Sequence, residues 1–246
     1  MYFSGQGKLK IAPIVAGIIA GGYRWVGNVP DFKPAFANTK LDHKESYTGQ
    51  RLTDKTITTE LKSTFSATLE DWSPDNMALA TRGKVEKTTT GAVTGELSPA
   101  VLAVGSTWLL KNSNITSLTI TDSATTPATV DPSKYVADLA YGTVEVLDVT
   151  GLTLPLKAAY TKGVVEVVPF FTQGVQEVAL LFEGINTADS NKKVRAELYR
   201  VALDPTKELG LITENFGQFV IEGTTLIDET KGEDPLFGKF GRMVYL

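Results

Sequence analysis

The chain has 246 residues, 42% hydrophobic and 21% charged, with a formal net charge of −4 and no cysteine. That length and apolar fraction suffice for one large β-domain or a core carrying an insert. The acidic balance excludes a nucleic-acid binder built on a concentrated basic patch, and the missing thiols exclude disulfides and thiolate metal sites.

Gly7–Ala12 reads as a short opening strand. The apolar stretch Ile11–Gly22 is too short to span a bilayer, is broken by Pro13 and Gly17, and lies beside Arg24. No cleavage-site pattern follows it. It is expected to be a buried strand, and no targeting or anchoring segment is evident. Gly17–Asn38 reads as a strand pair or bent strand, punctuated by Gly21–Gly22 and Gly27–Asn28, with Pro30 and Pro34 near its end. Leu41–Tyr47 reads as a separate strand, followed by a polar loop, Thr48–Asp54, centred on Gly49.

Thr56–Glu70 carries an uncommonly long period-two signal. Its odd positions (Ile57, Leu61, Phe65, Ala67, Leu69 among them) are apolar or small. Its even positions (Thr56, Thr58, Glu60, Lys62, Thr64, Ser66, Thr68) are polar. At about 3.4 Å per residue such a strand spans roughly 50 Å, more than a compact domain uses. The odd face is expected in the subunit core, so Leu61→Asp or Phe65→Asp is expected to damage the fold.

Ser73–Arg82 is the one helix predicted, with Ser73 as cap, Pro74 in the first turn, Asp75 at the positive end and Gly83 in the left-handed closing position. From Thr88 to Thr161 charges thin out, and short strands are predicted at Thr107–Leu110, Thr116–Thr121, Tyr135–Ala137, Thr143–Leu147 and Leu156–Tyr160. Residues 91–164 therefore read as a small β-module inserted into a core formed by 1–90 and 165–246. Val175–Glu183 and Val194–Val201 form a predicted hairpin about the turn Asn186–Lys192, and Phe219–Ile227 and Phe240–Tyr245 close an all-β chain.

No constellation points to catalysis, a metal or a cofactor. His43 is the sole histidine, and no serine sits in a nucleophile-elbow sequence. Gly232–Lys239 imitates a phosphate-binding loop, but with one residue too many between the glycines and Phe240 where Ser or Thr would hold magnesium, so it reads as a loop. Glu70 and Asp71 are adjacent at a strand end and point apart, while Asp75 serves the helix start. Asn114–Thr116 is a glycosylation sequon without a secretory signal. Arg51, Lys55 and Tyr47 form a small basic–aromatic group that reads either as a plain surface loop or as a protein–protein contact.

Four segments then share a pattern. Leu41–Gly49 (LDHKESYTG) precedes the long strand, and Trp72–Ala80 (WSPDNMALA) follows it before Gly83. Phe182–Asp189 (FEGINTAD) leads into the strand ending at Leu203–Pro205, and Gly217–Gly223 (GQFVIEG) comes last. In this order they resemble the tail tube (major tail) proteins of bacteriophages with long non-contractile tails. The inserted segment, with Lys134–Asp138, Gly142–Val146 and Tyr160–Thr161, is similar to small β-modules of such proteins.

The resemblance implies a tail-tube-like β-sandwich or barrel with a flanking helix. Its inner sheet would join neighbours in a homohexameric ring, and rings would stack into the virion tail after assembly in the host cytoplasm. It further implies a lumen that passes double-stranded DNA without specific binding. The implied partners are a tape-measure protein, a tail terminator and distal tail proteins, with no membrane. On this reading Thr56, Thr58, Glu60, Lys62, Thr64, Ser66 and Thr68 face the lumen. Tyr47, Thr48, Gly49, Gln50, Arg51, Leu52, Thr53 and Asp54 contact the next ring. The alternatives are another β-rich tail ring (a terminator or baseplate part), a carbohydrate-binding β-sandwich and, third, an enzyme.

Overall fold

The computed structural model describes residues 2–231 and 234–246. The phosphate-loop-like segment therefore begins at Gly232 and Glu233, outside the described residues. The protein is all-β with one short helix; its sheets are antiparallel and none closes into a barrel, which corrects that part of the expectation. The chain divides into two compact units, 1–84 with 168–246, and 85–167. The sequence-based division fell at 90/91 and 164/165.

The first unit is built on β1 (Gly5–Val15), β2 (Ile18–Ile19), β3 (Arg24–Trp25), β4 (Asp31–Lys44), β5 (Thr53–Leu69) and the helix α1 (Pro74–Ala80). The second holds β6 (Glu86–Lys87), β7 (Gly91–Leu97), β8 (Thr107–Leu109), β9 (Ile115–Thr121), β10 (Tyr135–Asp138), β11 (Thr143–Val146), β12 (Lys157–Lys162) and β13 (Glu166–Val167). The chain returns to the first unit for β14 (Glu177–Asn186), β15 (Lys192–Asp204), β16 (Phe219–Thr225) and β17 (Gly241–Tyr245).

The first unit is one nine-stranded sheet in the order β2-β1-β14-β15-β16-β5-β4, with β3 on β1 and β17 on β15. The thirteen-residue β15 serves two partners in succession, β17 along Val194–Leu198 and β16 along Val201–Asp204. The sheet bends there. Phe32 of β4 and Phe182 of β14 stand four strand spacings apart in sheet order, about 19 Å if flat, yet their ring centroids are 6.1 Å apart. The bend encloses a core of Leu9, Ile11, Phe65, Leu69, Leu180, Val201, Leu203, Phe219 and Ile221, and Trp72 packs edge-on against Phe219 with ring centroids 5.4 Å apart.

The helix begins after Ser73, but the Ser73 side chain caps no N–H; its own N–H bonds the Asp71 carboxylate at 3.0 Å. The left-handed residue at its end is Arg82 (φ 50°), not Gly83. Arg82 is held there because its guanidinium donates to the Leu203 carbonyl at 3.0 Å. Gly83 is required for another reason: a Cβ would sit 2.6 Å from the Pro169 carbonyl oxygen.

Ile11–Gly22 is not a buried strand throughout. Leu9, Ile11 and Ala12 are buried, but β1 continues outward and turns back at Ala16–Gly17, both with positive φ (51° and 78°), to pair Ile14 with Ile19 and Val15 with Ile18. Two successive left-handed residues make the tight hairpin turn whose twist suits paired strands. Its tip is exposed, with Ile18 at 73%.

The second unit packs sheets β10-β11-β8 and β7-β12-β9 around Trp108, Ile115, Ile120, Val144, Leu156 and Tyr160, with β13-β6 as a separate pair. The Tyr160 hydroxyl is satisfied on both sides, donating to the Glu96 carboxylate and accepting from Asn112 at 2.8 Å. Buried Asp122 ties its loop by accepting from Ala128 N–H at 2.8 Å, which lowers its pKa from the ordinary value.

Candidate functional site: a projecting hairpin

Leu41–Tyr47 is not a separate strand; β4 runs unbroken for fourteen residues beside the seventeen of β5. Pro34 does not interrupt it, since β4 is the last strand of the sheet and an edge strand tolerates a missing N–H. Next to the body the β5 alternation is clear: Phe65, Ala67 and Leu69 are buried, and Thr64, Ser66 and Thr68 half-buried. Beyond it, Phe36–Lys44 and Thr53–Lys62 are exposed on both faces. Nine β4 residues at about 3.4 Å each give an arm roughly 30 Å long standing clear of the core.

Two sequence-based expectations are corrected here. Ile57 and Leu61 do not enter the core: Leu61 is 67% exposed, against 3% for Phe65. Nor do the seven even residues share a face. Thr39 pairs with Glu60, but Lys40 pairs with Thr58, so Thr59 is an extra residue on β5. A one-residue register shift turns the following side chains to the other side of the ladder. Glu60, Lys62, Thr64, Ser66 and Thr68 lie on one face, while Thr58 and Thr56 fall on the opposite one. The hydrogen bonds agree: Thr39 donates to Glu60 at 3.3 Å, and Thr56 to Asp42 at 2.6 Å. Beyond the bulge the first face continues as the exposed pair Leu41–Ile57 and as His43, whose Nδ1 is 2.6 Å from Asp54.

A bare two-stranded hairpin is marginal in water. This one has a knot at its tip that the sequence reading missed. Glu45 is 5% exposed, and its carboxylate accepts from the N–H groups of Tyr47 (2.8 Å), Thr48 (2.9 Å) and Leu52 (3.2 Å) and from the Thr48 hydroxyl. Gly49 (φ 80°) and Arg51 (φ 51°) turn the chain around this carboxylate. Tyr47 through Asp54 are all exposed, so the predicted contact residues form the outer surface of an ordered tip, with Arg51, Lys55 and Tyr47 on it. The one readable hint of the knot is an acid at a strand end followed by Ser-Tyr-Thr-Gly.

The Thr48 hydroxyl and the backbone donors stabilise the ionised form of Glu45 and hold its pKa at about 2, well below the ordinary carboxylate range. The contribution of this carboxylate to stability is therefore full above pH about 4.5 and is lost progressively as pH falls from there through about 2, where the folded protein itself takes up the proton. Amide resonances of Thr48 and Leu52 should stay in place on acidification through pH 4.5 and shift on approaching pH 2; a transition centred near 4.5 would refute this account.

The other candidate groups are accounted for locally. Glu70 accepts from Gln218 at 2.8 Å and from Asn28, and its pKa is lowered by Asn28 first. A cleft of about 660 Å³ is lined by Tyr23, Glu197, Tyr199, Phe237 and Arg242. Its arginines are engaged: Arg242 binds Glu197 at 2.8 Å and covers the Phe237 ring at 4.0 Å, and Arg200 grips Glu177 at 2.6 and 2.8 Å. Among the described residues no group of three or more His, Asp or Glu side chains could hold a metal ion, and no helix is long and apolar enough to cross a membrane.

No curated protein matches the chain in sequence. A family model covers residues 2–244, nearly the whole chain, across both units. The chain belongs to the family described as protein of unknown function UCP028589.

Proposed function

We propose that this chain is a tail tube protein of a long non-contractile phage tail, a structural virion protein without cofactor or catalytic role, which assembles into homohexameric rings that stack into a DNA conduit. The observation that carries this reading is the arm: two strands kept paired far beyond any core of their own, with apolar Phe36, Leu41, Ile57 and Leu61 left exposed. An exposed apolar strand pair of this length is a liability in a self-contained protein and an asset in one that polymerises. The fourteen-residue outer edge of β4 supports it too, since a neighbouring sheet can continue there. On this reading the tape-measure protein fills the lumen during assembly, and terminator and distal tail proteins close the ends.

The face proposed for the lumen mixes both signs. Asp31, Glu60 and Glu222 stand with Lys33 and Lys62, and pairing is close: Lys33–Asp31 at 2.7 Å and Lys207–Glu222 at 2.7 Å. A wall of paired charges offers few free cations to phosphate, so DNA slides without being held. Electron microscopy of concentrated protein tests the assembly: tubes are expected, and single closed rings would favour a terminator or baseplate part. Assembled tubes should not retard duplex DNA at low salt. Tight retention would defeat the passive-conduit account.

A further inference from the structure

The geometry points to the apolar β1–β2 hairpin as the receiver for the projecting arm of a second copy of this chain. This rests on the tube reading and names the surface on which the arm would land.

From Ile11 through Tyr23 there is no charged residue. Only Ile11 and Ala12 of this stretch enter the core, and Val15, Ile18 and Ile19 stand exposed around the Ala16–Gly17 turn. Val15 and Ile18 are direct partners across the hairpin, and an exposed apolar pair at the tip of an ordered hairpin suits an interaction site. The arm carries the matching chemistry at its outer end, with Tyr47 and Leu52 exposed on the tip and Leu41 and Ile57 behind them.

Strand registers send these two surfaces off in opposite directions from the first unit. The arm leaves at Ser63, which pairs with Thr225; Thr225 in turn pairs with Val201. From Val201, β15 runs to Asp204 opposite Glu222, away from the arm. Val201 also pairs with Val178, and Val178 with Pro13, so the hairpin's root shares the arm's row across the sheet, and from it β1 runs on to Val15 in the direction away from the arm. The hairpin's base, Pro13 and Arg24, lines a small cleft with Asp75 and Ala78 of α1, just past the end of β5. Arg24 donates to Asn76 at 2.7 Å, and Asn76 donates to the Val26 carbonyl at 2.9 Å. Arm and hairpin of one chain therefore cannot cover each other. The hairpin is uncharged, and the tip sets exposed Tyr47 and Leu52 beside Arg51 and Asp54; exposed apolar side chains that leave one body in opposite directions satisfy each other only between copies, head to tail, and such a contact propagates without closing on itself. The Glu45 knot fixes the arm's tip before docking, which reduces the ordering cost of the contact.

The absence of cysteine makes the test direct. Ile18→Cys protein is mixed with separately tagged Leu52→Cys protein and treated with a short bis-maleimide; Leu109→Cys, on an exposed position of the second unit, is the control. Coupling of the Ile18→Cys chain to the Leu52→Cys chain, well above coupling to the control, is expected. Ile18→Asp should keep the wild-type melting temperature and circular dichroism but lose elongation. Normal tubes from folded Ile18→Asp protein, or coupling no stronger than the control, would overturn the hairpin contact while leaving the tube reading in place. Binding of the wild-type protein to lipid vesicles that Ile18→Asp abolishes would also overturn it. Absence of tubes from wild-type protein would defeat the tube reading instead, and the coupling, which needs no tube, then decides the hairpin contact alone.

Discussion

Leu61→Asp should leave the subunit folded and stop it assembling, whereas Phe65→Asp should prevent folding. The two positions lie on the same side of β5, four residues apart, and are equally apolar in sequence. Phe65 is sealed in the core, its ring 6.4 Å from that of Phe32. A carboxylate there has no partner, and a buried unpaired charge together with the lost aromatic packing costs more than about 4 kcal/mol, enough to exhaust much of a typical domain's stability. Leu61 stands in the arm opposite Asn38, open to solvent. A surface substitution of that kind changes stability by about 0.5 kcal/mol or less. Circular dichroism and thermal melting separate the two variants: Leu61→Asp should melt with the wild type, and Phe65→Asp should show no cooperative transition. Electron microscopy then reads assembly. Unfolding of Leu61→Asp would mean that the arm is integral to the body after all.

The same pair shows what the sequence could and could not convey. Alternation marks Ile57, Leu61, Phe65 and Leu69 as one kind of position, and the strand does form over that stretch. Alternation says which residues share a side; it is silent on where the covering layer ends, because that depends on strands more than a hundred residues away, β14 and β16. The bulge at Thr59 left no mark either, since it lies in a run of threonines with no glycine to announce it. Leu41–Tyr47 read as a strand of its own, but β4 runs through Asn38 to Lys44 without a break. Of the contact tip, Tyr47–Asp54, the loop itself was readable from Gly49, but its organiser, Glu45, was not. A buried glutamate owes its place to backbone donors that exist only once the turn has closed. The hairpin at Ala16–Gly17 was misread for the converse reason: apolar composition suggests burial, and only pairing geometry shows a tip standing free.

Removing Gly49–Thr53 should give folded subunits that fail to elongate. The segment carries none of the core: Gly49 through Thr53 are exposed, and no core residue of the first unit lies between Phe32 and Phe65. The deletion takes away Leu52, whose N–H helps hold the Glu45 carboxylate and whose carbonyl accepts from Glu45 N–H at 2.9 Å. The tip should therefore lose its fixed shape while the β4–β5 ladder below Lys55 persists. The loss of order ought to stay local, since among the described residues no ion pair joins the tip to the body, and the close contact beside it, the hydrogen bond between His43 and Asp54, lies on the arm itself. A contact made by an ordered projection fails in two ways when the projection is cut: the apolar side chain is gone, and the remainder must be ordered at binding. The expected result is an unchanged melting temperature, rings or monomers in the microscope, and no tube at any concentration at which the wild type polymerises. Tubes of ordinary length from the deletion variant would show that stacking is made elsewhere, and the arm would then be left with the lateral seam along the outer edge of β4 as its remaining role.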